Sequence, residues 1–204
     1  MPITYINRQR DIHYFKGVKT KRGKYRYYVT KKITANLLEK LPEGFEIYEH
    51  PEDAKVVLRK KIVYTVQDEE INIVEAAVNK YSAIKDFLVK ADSHILTVYK
   101  GRMDKEKLTS LLSDRTPEEL ERIFAKEQSY IPEMRLILQD EQTRNFTVQR
   151  WCYLGSVDDW VDLETTNDLA QLAKTYCYHL GRESYYELES PDCISSGGFI
   201  IKIE

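Results

Sequence analysis

Short runs of apolar and β-branched residues with a strand-like pattern dominate the first sixty residues, and the pattern then shifts to a helical period. Residues 3–6, 12–18 and 25–30 are short β-rich runs. Lys19-Thr20-Lys21-Arg22-Gly23-Lys24 joins the last two, with Gly where a hairpin bulge needs positive φ. In the third run Tyr25, Tyr27 and Val29 share one face, expected to be buried, and Arg26, Tyr28 and Thr30 share the other. Residues 34–41 predict a short helix with Thr34 as N-cap, stopped by Leu41-Pro42-Glu43-Gly44. Residues 45–49 and 55–60 predict two more strands around the turn His50-Pro51-Glu52-Asp53.

From about Asp68 the period changes. Ile71, Val74, Val78 and Tyr81 recur at helical spacing behind the acidic turn Asp68-Glu69-Glu70. Residues 93–100 alternate as a strand that includes His94, and 104–112 predict a helix. Thr116-Pro117-Glu118-Glu119 combines an N-cap, a proline at N1 and a capping-box glutamate, so a helix should run from there to about Gln128. Residues 134–139 and 146–154 predict an antiparallel pair. Leu169, Leu172, Ala173, Tyr176, Cys177 and Leu180 form an apolar stripe, predicting a helix over 166–180 with Gly181 at its C-terminal cap. Residues 184–189 and 198–203 close the chain as strands. The pattern defines an α+β fold: a small β-rich N-terminal unit, residues 1–64, followed by a larger α+β body, residues 65–204, with a mostly antiparallel sheet.

Charge sharpens this division. Residues 1–32 carry ten Lys/Arg against one acid, Asp11, a net +9, whereas the remaining 172 residues carry 21 Lys/Arg and 32 Asp/Glu, a net −11. The overall −2 conceals a basic segment attached to an acidic body. The basic residues interleave with aromatics: His13, Tyr14, Phe15, Tyr25, Tyr27 and Tyr28 alternate with Lys16, Lys19, Lys21, Arg22, Lys24, Arg26, Lys31 and Lys32. Cations neutralise phosphates and release counterions, exposed rings give bases a stacking platform, and a twisted β-ribbon fits a groove. Two structural alternatives stand beside this: the cations keep a sheet edge soluble, or the hairpin docks on an acidic surface. The polyanion-binding candidates are Arg8, Arg10, Lys16, Lys19, Lys21, Arg22, Lys24, Arg26, Tyr28 and Lys31.

The pattern Gly17-x-x-Thr20-Lys21-x-Gly23-Lys24-x-Arg26-Tyr27-Tyr28, followed by Pro42-x-Gly44-Phe45-Glu46-Ile47-Tyr48-Glu49 and Val57-Leu58-Arg59-Lys60, resembles a module at the N-terminus of uncharacterised bacterial proteins. The likeness covers roughly the first sixty residues. It implies a bacterial, cytoplasmic protein and carries no chemistry.

Other motifs carry weaker signals. Cys152, Cys177 and Cys193 are odd in number and widely spaced, which predicts free thiols in a reducing compartment rather than a disulfide framework. Cys177-x-His179 lacks the paired ligands of a structural zinc site, and Cys177 lies on the apolar stripe, where it reads as a small buried hydrophobe. Asp158, Asp159, Asp162 and Glu164, read as a loop, could with Asp140 and Glu141 hold Mg²⁺, although acidic loops are commonly solvated surface. Ser195-Ser196-Gly197-Gly198 is a turn rather than a phosphate loop, since no GK[ST] follows it. The four histidines are scattered, and no nucleophile elbow occurs. No apolar run approaches the roughly 18–20 residues that span a bilayer, and the first residues lack the apolar stretch of a signal peptide.

The sequence therefore favours a non-enzymatic cytoplasmic protein that binds nucleic acid or another polyanion through its basic, aromatic hairpin, with no cofactor, no metal and no membrane partner. The second reading is a scaffold protein whose basic unit meets an acidic protein or a second copy of itself. The third is a metal-dependent enzyme using the 158–164 segment.

Overall fold

The computed structural model describes residues 1–153 and 158–188. The chain forms two compact units. The first comprises Met1–Ile62 and Gly101–Ile131; the second comprises Val63–Lys100 and the described part of Pro132–Glu204.

In the first unit β1 (Thr4–Ile6), β2 (Ile12–Lys19) and β3 (Tyr25–Thr30) form a three-stranded sheet in that order, with both pairings antiparallel. The β2–β3 hairpin turns at Gly23, whose φ of +81° is the left-handed conformation a glycine accepts without strain. The Thr20 amide donates to the Lys24 carbonyl at 2.7 Å and closes the turn. Phe15, fully buried, and His13 lie on the inner face of β2. Tyr27 meets Phe45 edge-on, with ring centroids 4.9 Å apart. Tyr25, expected to be buried with Tyr27, is 59% exposed, because it lies at the hairpin's far end, opposite Lys19.

The helix expected over 34–41 does not form. β1 pairs only with residues 12–14 of β2, which leaves the edge of β2 open beyond His13 and Tyr14. The segment fills that edge instead. The Leu38 amide donates to the Phe15 carbonyl at 2.7 Å, the Gly17 amide donates to Asn36, and Lys16 bridges Leu37. An eight-residue helix is too short to compete with those backbone bonds.

β4 (Phe45–Glu49) and β5 (Val56–Lys60) pair antiparallel as a separate hairpin. α2 (Lys105–Leu111) and α3 (Pro117–Glu127) complete the unit. Asp104 caps α2, its carboxylate accepting from the Glu106 and Lys107 amides. The expected capping box starts α3: Thr116 Oγ1 accepts from the Glu119 amide at 3.2 Å, and the Glu119 carboxylate accepts from the Thr116 amide at 3.1 Å.

The second unit is a five-stranded sheet carrying two helices. Its strands are β6 (Phe87–Asp92), β7 (Ile95–Gly101), β8 (Tyr130–Asp140), β9 (Asn145–Tyr153) and β10 (Asp158–Thr166), ordered β10-β9-β8-β7-β6. Gly101 at the end of β7 and Tyr130 and Ile131 at the start of β8 belong to the first unit. The helices are α1 (Asp68–Tyr81) and α4 (Leu169–Cys177). Alternate residues of the strands (Leu96 and Val98, Met134 and Leu136, Phe146 and Val148) meet Val74, Val78, Leu172 and Cys177 of the helices in one buried core. Full burial of each such side chain contributes about 1.5–3 kcal/mol. Glu70 is buried at the start of α1. Its carboxylate accepts from the Gln67 amide at 2.8 Å and from Arg144 Nε at 2.9 Å, so the charge is paired where it is desolvated.

Besides the acidic segment 158–164, which forms part of β10, four points differ from expectation in this unit. β6 has no counterpart among the expected elements. His94 is not a packed strand residue: Ser93, at φ +57°, and His94 make the tight turn between β6 and β7, and His94 is exposed. Helix α4 starts at Leu169 rather than 166, because β10 runs to Thr166 and the Asp168 carboxylate caps the helix by accepting from the Gln171 amide at 2.9 Å. Gly181 then follows at φ +80°, where a Cβ would approach Ala83 and Ile84 backbone atoms at 3.2–3.3 Å. Residues 183–185 are a single 3₁₀ turn, not a strand. Tyr185 anchors that turn: it is buried, its hydroxyl donates to the Glu133 carbonyl and accepts from the Trp151 amide at 3.0 Å. The expected strand at 198–203 and the Ser195–Gly198 turn lie outside the described residues, as does Cys193.

Candidate nucleic-acid interface

Strand register sorts the side chains of the first sheet. Tyr14 lies opposite Thr4 and Thr30, Lys16 opposite Tyr28, and Val18 opposite Arg26, while Ile12 lies opposite Ile6. Opposite residues share a face. One face therefore holds Thr4, Ile6, Ile12, Tyr14, Lys16, Val18, Arg26, Tyr28 and Thr30. The other holds Tyr5, His13, Phe15, Tyr27 and Val29 and turns toward the unit's interior.

The ten candidate residues separate into two groups. Lys16, Lys19, Lys21, Arg22, Lys24, Arg26 and Tyr28 gather on the β2–β3 hairpin. No Asp or Glu lies between Lys16 and Arg26. Lys19, Lys21, Arg22, Lys24 and Arg26 are exposed, and none forms an ion pair with a described residue. Lys16 Nζ lies 5.7 Å from the Tyr28 ring centroid, over its π face.

Arg8, Arg10 and Lys31 sit at the opposite end of the sheet. Arg8 is a structural residue. Half-buried, it reaches Glu49 at 3.3 Å, donates to the carbonyls of His50 (3.0 Å) and Pro51, and lies 5.1 Å from the Tyr130 ring centroid. Tyr5 donates to the same Glu49 carboxylate at 2.9 Å; burial and that carboxylate push the phenol up to about 12. Lys31 pairs with Asp11 at 2.7 Å, and Lys126 of α3 meets the same carboxylate at 2.8 Å. Hydrogen bonds from Lys126 and then Lys31 hold Asp11 down to about 2. Arg10 is exposed at φ +63° beside a cleft of about 410 Å³, whose far wall is Arg122, Ile123, Lys126 and Glu127 of α3. Arg122 and Lys126 were not among the sequence candidates, because no spacing signal links them to Arg10 across more than a hundred residues.

His13 lies on the interior face. It is 5% exposed, and its Nε2 has no hydrogen-bond partner among the described residues. Burial, and then the Lys31 ammonium, lower its pKa; Lys126 acts in the same direction, whereas Asp11 and Glu49 oppose the shift. A histidine whose folded pKa lies below its unfolded value, about 6.5, binds fewer protons folded than unfolded. Its contribution to stability is thus complete above pH 6.5 and is lost as pH falls through the folded value. The urea midpoint should drop between pH 7.5 and about 5.5, and His13→Gln should flatten that slope. A wild-type midpoint independent of pH over that range would show that His13 does not titrate with folding.

The acidic segment 158–164 is strand β10, not a loop. Its register places Asp162 opposite Gln149 and Glu164 opposite Val148, on opposite faces of the sheet. Asp162 accepts from the Gln149 side chain, and Glu164 accepts from the Tyr176 hydroxyl at 3.0 Å. Among the described residues no three His, Cys, Asp or Glu come together as a metal site. Cys152 and Cys177 are free and buried, and burial pushes the Cys177 thiol up to about 12, so it is a poor nucleophile. His179 Nδ1 lies 2.9 Å from Ser184 Oγ. No helix among the described residues is long and apolar enough to cross a membrane.

Comparison with known proteins finds no matching family model, curated protein or solved structure. The described fold is α+β with a β-rich N-terminal sheet, and its functional surface has to be read from its own chemistry.

Proposed function

We propose that this is a bacterial, cytoplasmic, non-enzymatic protein that binds nucleic acid through the β2–β3 hairpin. One observation carries the reading: six cations, five of them exposed and without an ion-pair partner among the described residues, project from a carboxylate-free hairpin. Phosphate backbones are the polyanions that such a ribbon suits, since each neutralised phosphate releases condensed counterions. Arg8 and Lys31 are committed to Glu49 and Asp11 and do not belong to the contact surface. Arg10 lies at the other end of the sheet, so the hairpin's own phosphate contacts are Lys16, Lys19, Lys21, Arg22, Lys24 and Arg26, with Tyr28 beside them.

Fluorescence anisotropy with labelled DNA and RNA oligonucleotides tests this. Binding should be tight at about 50 mM salt and should weaken steeply by about 200 mM. Absence of binding to any single- or double-stranded probe at low salt, where electrostatics are strongest, would transfer the surface to an acidic protein partner.

A further inference from the structure

The open face of the β1-β2-β3 sheet is more apolar than phosphate binding requires. Ile6 is 63% exposed, Ile12 47%, Tyr28 43% and Val18 42%, on one continuous face with Tyr14, Lys16 and Arg26. Aliphatic side chains gain nothing from phosphate oxygens. They gain from flat apolar surfaces, and in a duplex the faces of the bases are already stacked on one another. Unpaired bases offer those faces to aromatic and aliphatic side chains while the backbone runs along the cations. The face carries two cations, Lys16 and Arg26, and no carboxylate, so its charge complements a polyanion. The same charges count against a second copy as occupant: in a two-fold contact this patch would meet itself and bring like charges together.

We infer that the sheet face is a platform for single-stranded nucleic acid, with a base stacked on Tyr28 beside Lys16 and further bases over Ile12, Ile6 and Tyr14. This inference rests on the nucleic-acid reading and adds the class of ligand.

The test compares a labelled single strand of about twelve nucleotides, within the span of such platforms, with the duplex of the same sequence. The single strand should bind at least about tenfold more tightly, and Tyr28→Ala should weaken it about tenfold, whereas Tyr28→Phe, which keeps the ring, should not. Neither change should move the salt slope. The wild-type comparison needs no variant, so a folding defect in Tyr28→Ala leaves the inference exposed to refutation. Duplex binding as tight as single-strand binding, with Tyr28→Ala silent, would overturn the platform and leave the hairpin cations as a phosphate clamp. Failure of both probes at low salt would remove the nucleic-acid reading itself. A concentration-dependent dimer dispersed by Ile12→Glu would assign the face to a second copy and overturn the inference as well.

Discussion

Alanine at Lys21, Arg22 and Lys24 together should lower the slope of log affinity against log salt by about 2, since each phosphate contact contributes about 0.7–0.9. The three residues flank the Gly23 turn, are exposed, and form no ion pair with a described residue. Their removal therefore takes nothing from the fold, and the melting temperature should stay unchanged. The loss should be uniform across nucleotide sequences, because phosphate contacts position a ligand without reading it. Titrations at several salt concentrations measure the slope directly. A triple variant with the wild-type slope would exclude the hairpin tip as the phosphate-contacting element. Arg8→Ala is the instructive contrast. It strands Glu49 beside Tyr5 and frees the His50 and Pro51 carbonyls, so it should destabilise the first unit rather than change the salt slope.

The second large effect is on stability. Phe15→Ala should destabilise the first unit by about 3–5 kcal/mol. Phe15 is fully buried, and it is the one member of the first unit among the largest fully buried side chains described; the others of that size class belong to the core of the second unit. With so few large residues in its interior, the unit has little with which to refill the cavity. Ile12→Ala, three residues earlier but on the open face, should change stability by about 0.5 kcal/mol or less. Hydrogen exchange of the β2 and β3 amides reads both changes locally. Equal effects would mean that the two faces of β2 are not distinguished as the register describes.

Much of the fold was legible in the chain. The hairpin at Gly23, the capping box at Thr116, the stripe of α4 and the pairing of β8 with β9 each rest on signals within a dozen or so residues: a positive-φ turn, a side chain that reaches its own helix terminus, a repeat of 3.6 or of 2. The failures share a different cause. Residues 34–41 look helical until β2 offers an unpaired edge. Residues 158–164 look like a solvated acidic loop until β9 supplies a partner strand. Tyr185 leaves the extended conformation expected of its segment because its hydroxyl satisfies backbone groups at Glu133 and Trp151. In each case a hydrogen bond to backbone groups of another segment overrode the local preference.

The candidate site divides along the same line. By itself the sequence determined the basic, aromatic hairpin, its turn and its freedom from carboxylates, because charge and a two-residue period are properties of neighbours along the chain. The tertiary structure alone decided which of the nine candidate cations remain available, since Arg8 finds Glu49 forty-one residues away and Asp11 collects Lys31 and Lys126. It also decided which face of β2 is open. Both faces carry large side chains, Ile12 and Tyr14 on one and His13 and Phe15 on the other, and only the packing of the second set into the interior leaves the first exposed. And it placed residues 101–131 in the first unit rather than with the segments that flank them. Unit membership and availability depend on which surfaces meet in three dimensions, and burial, unlike periodicity, is a property of the folded chain as a whole.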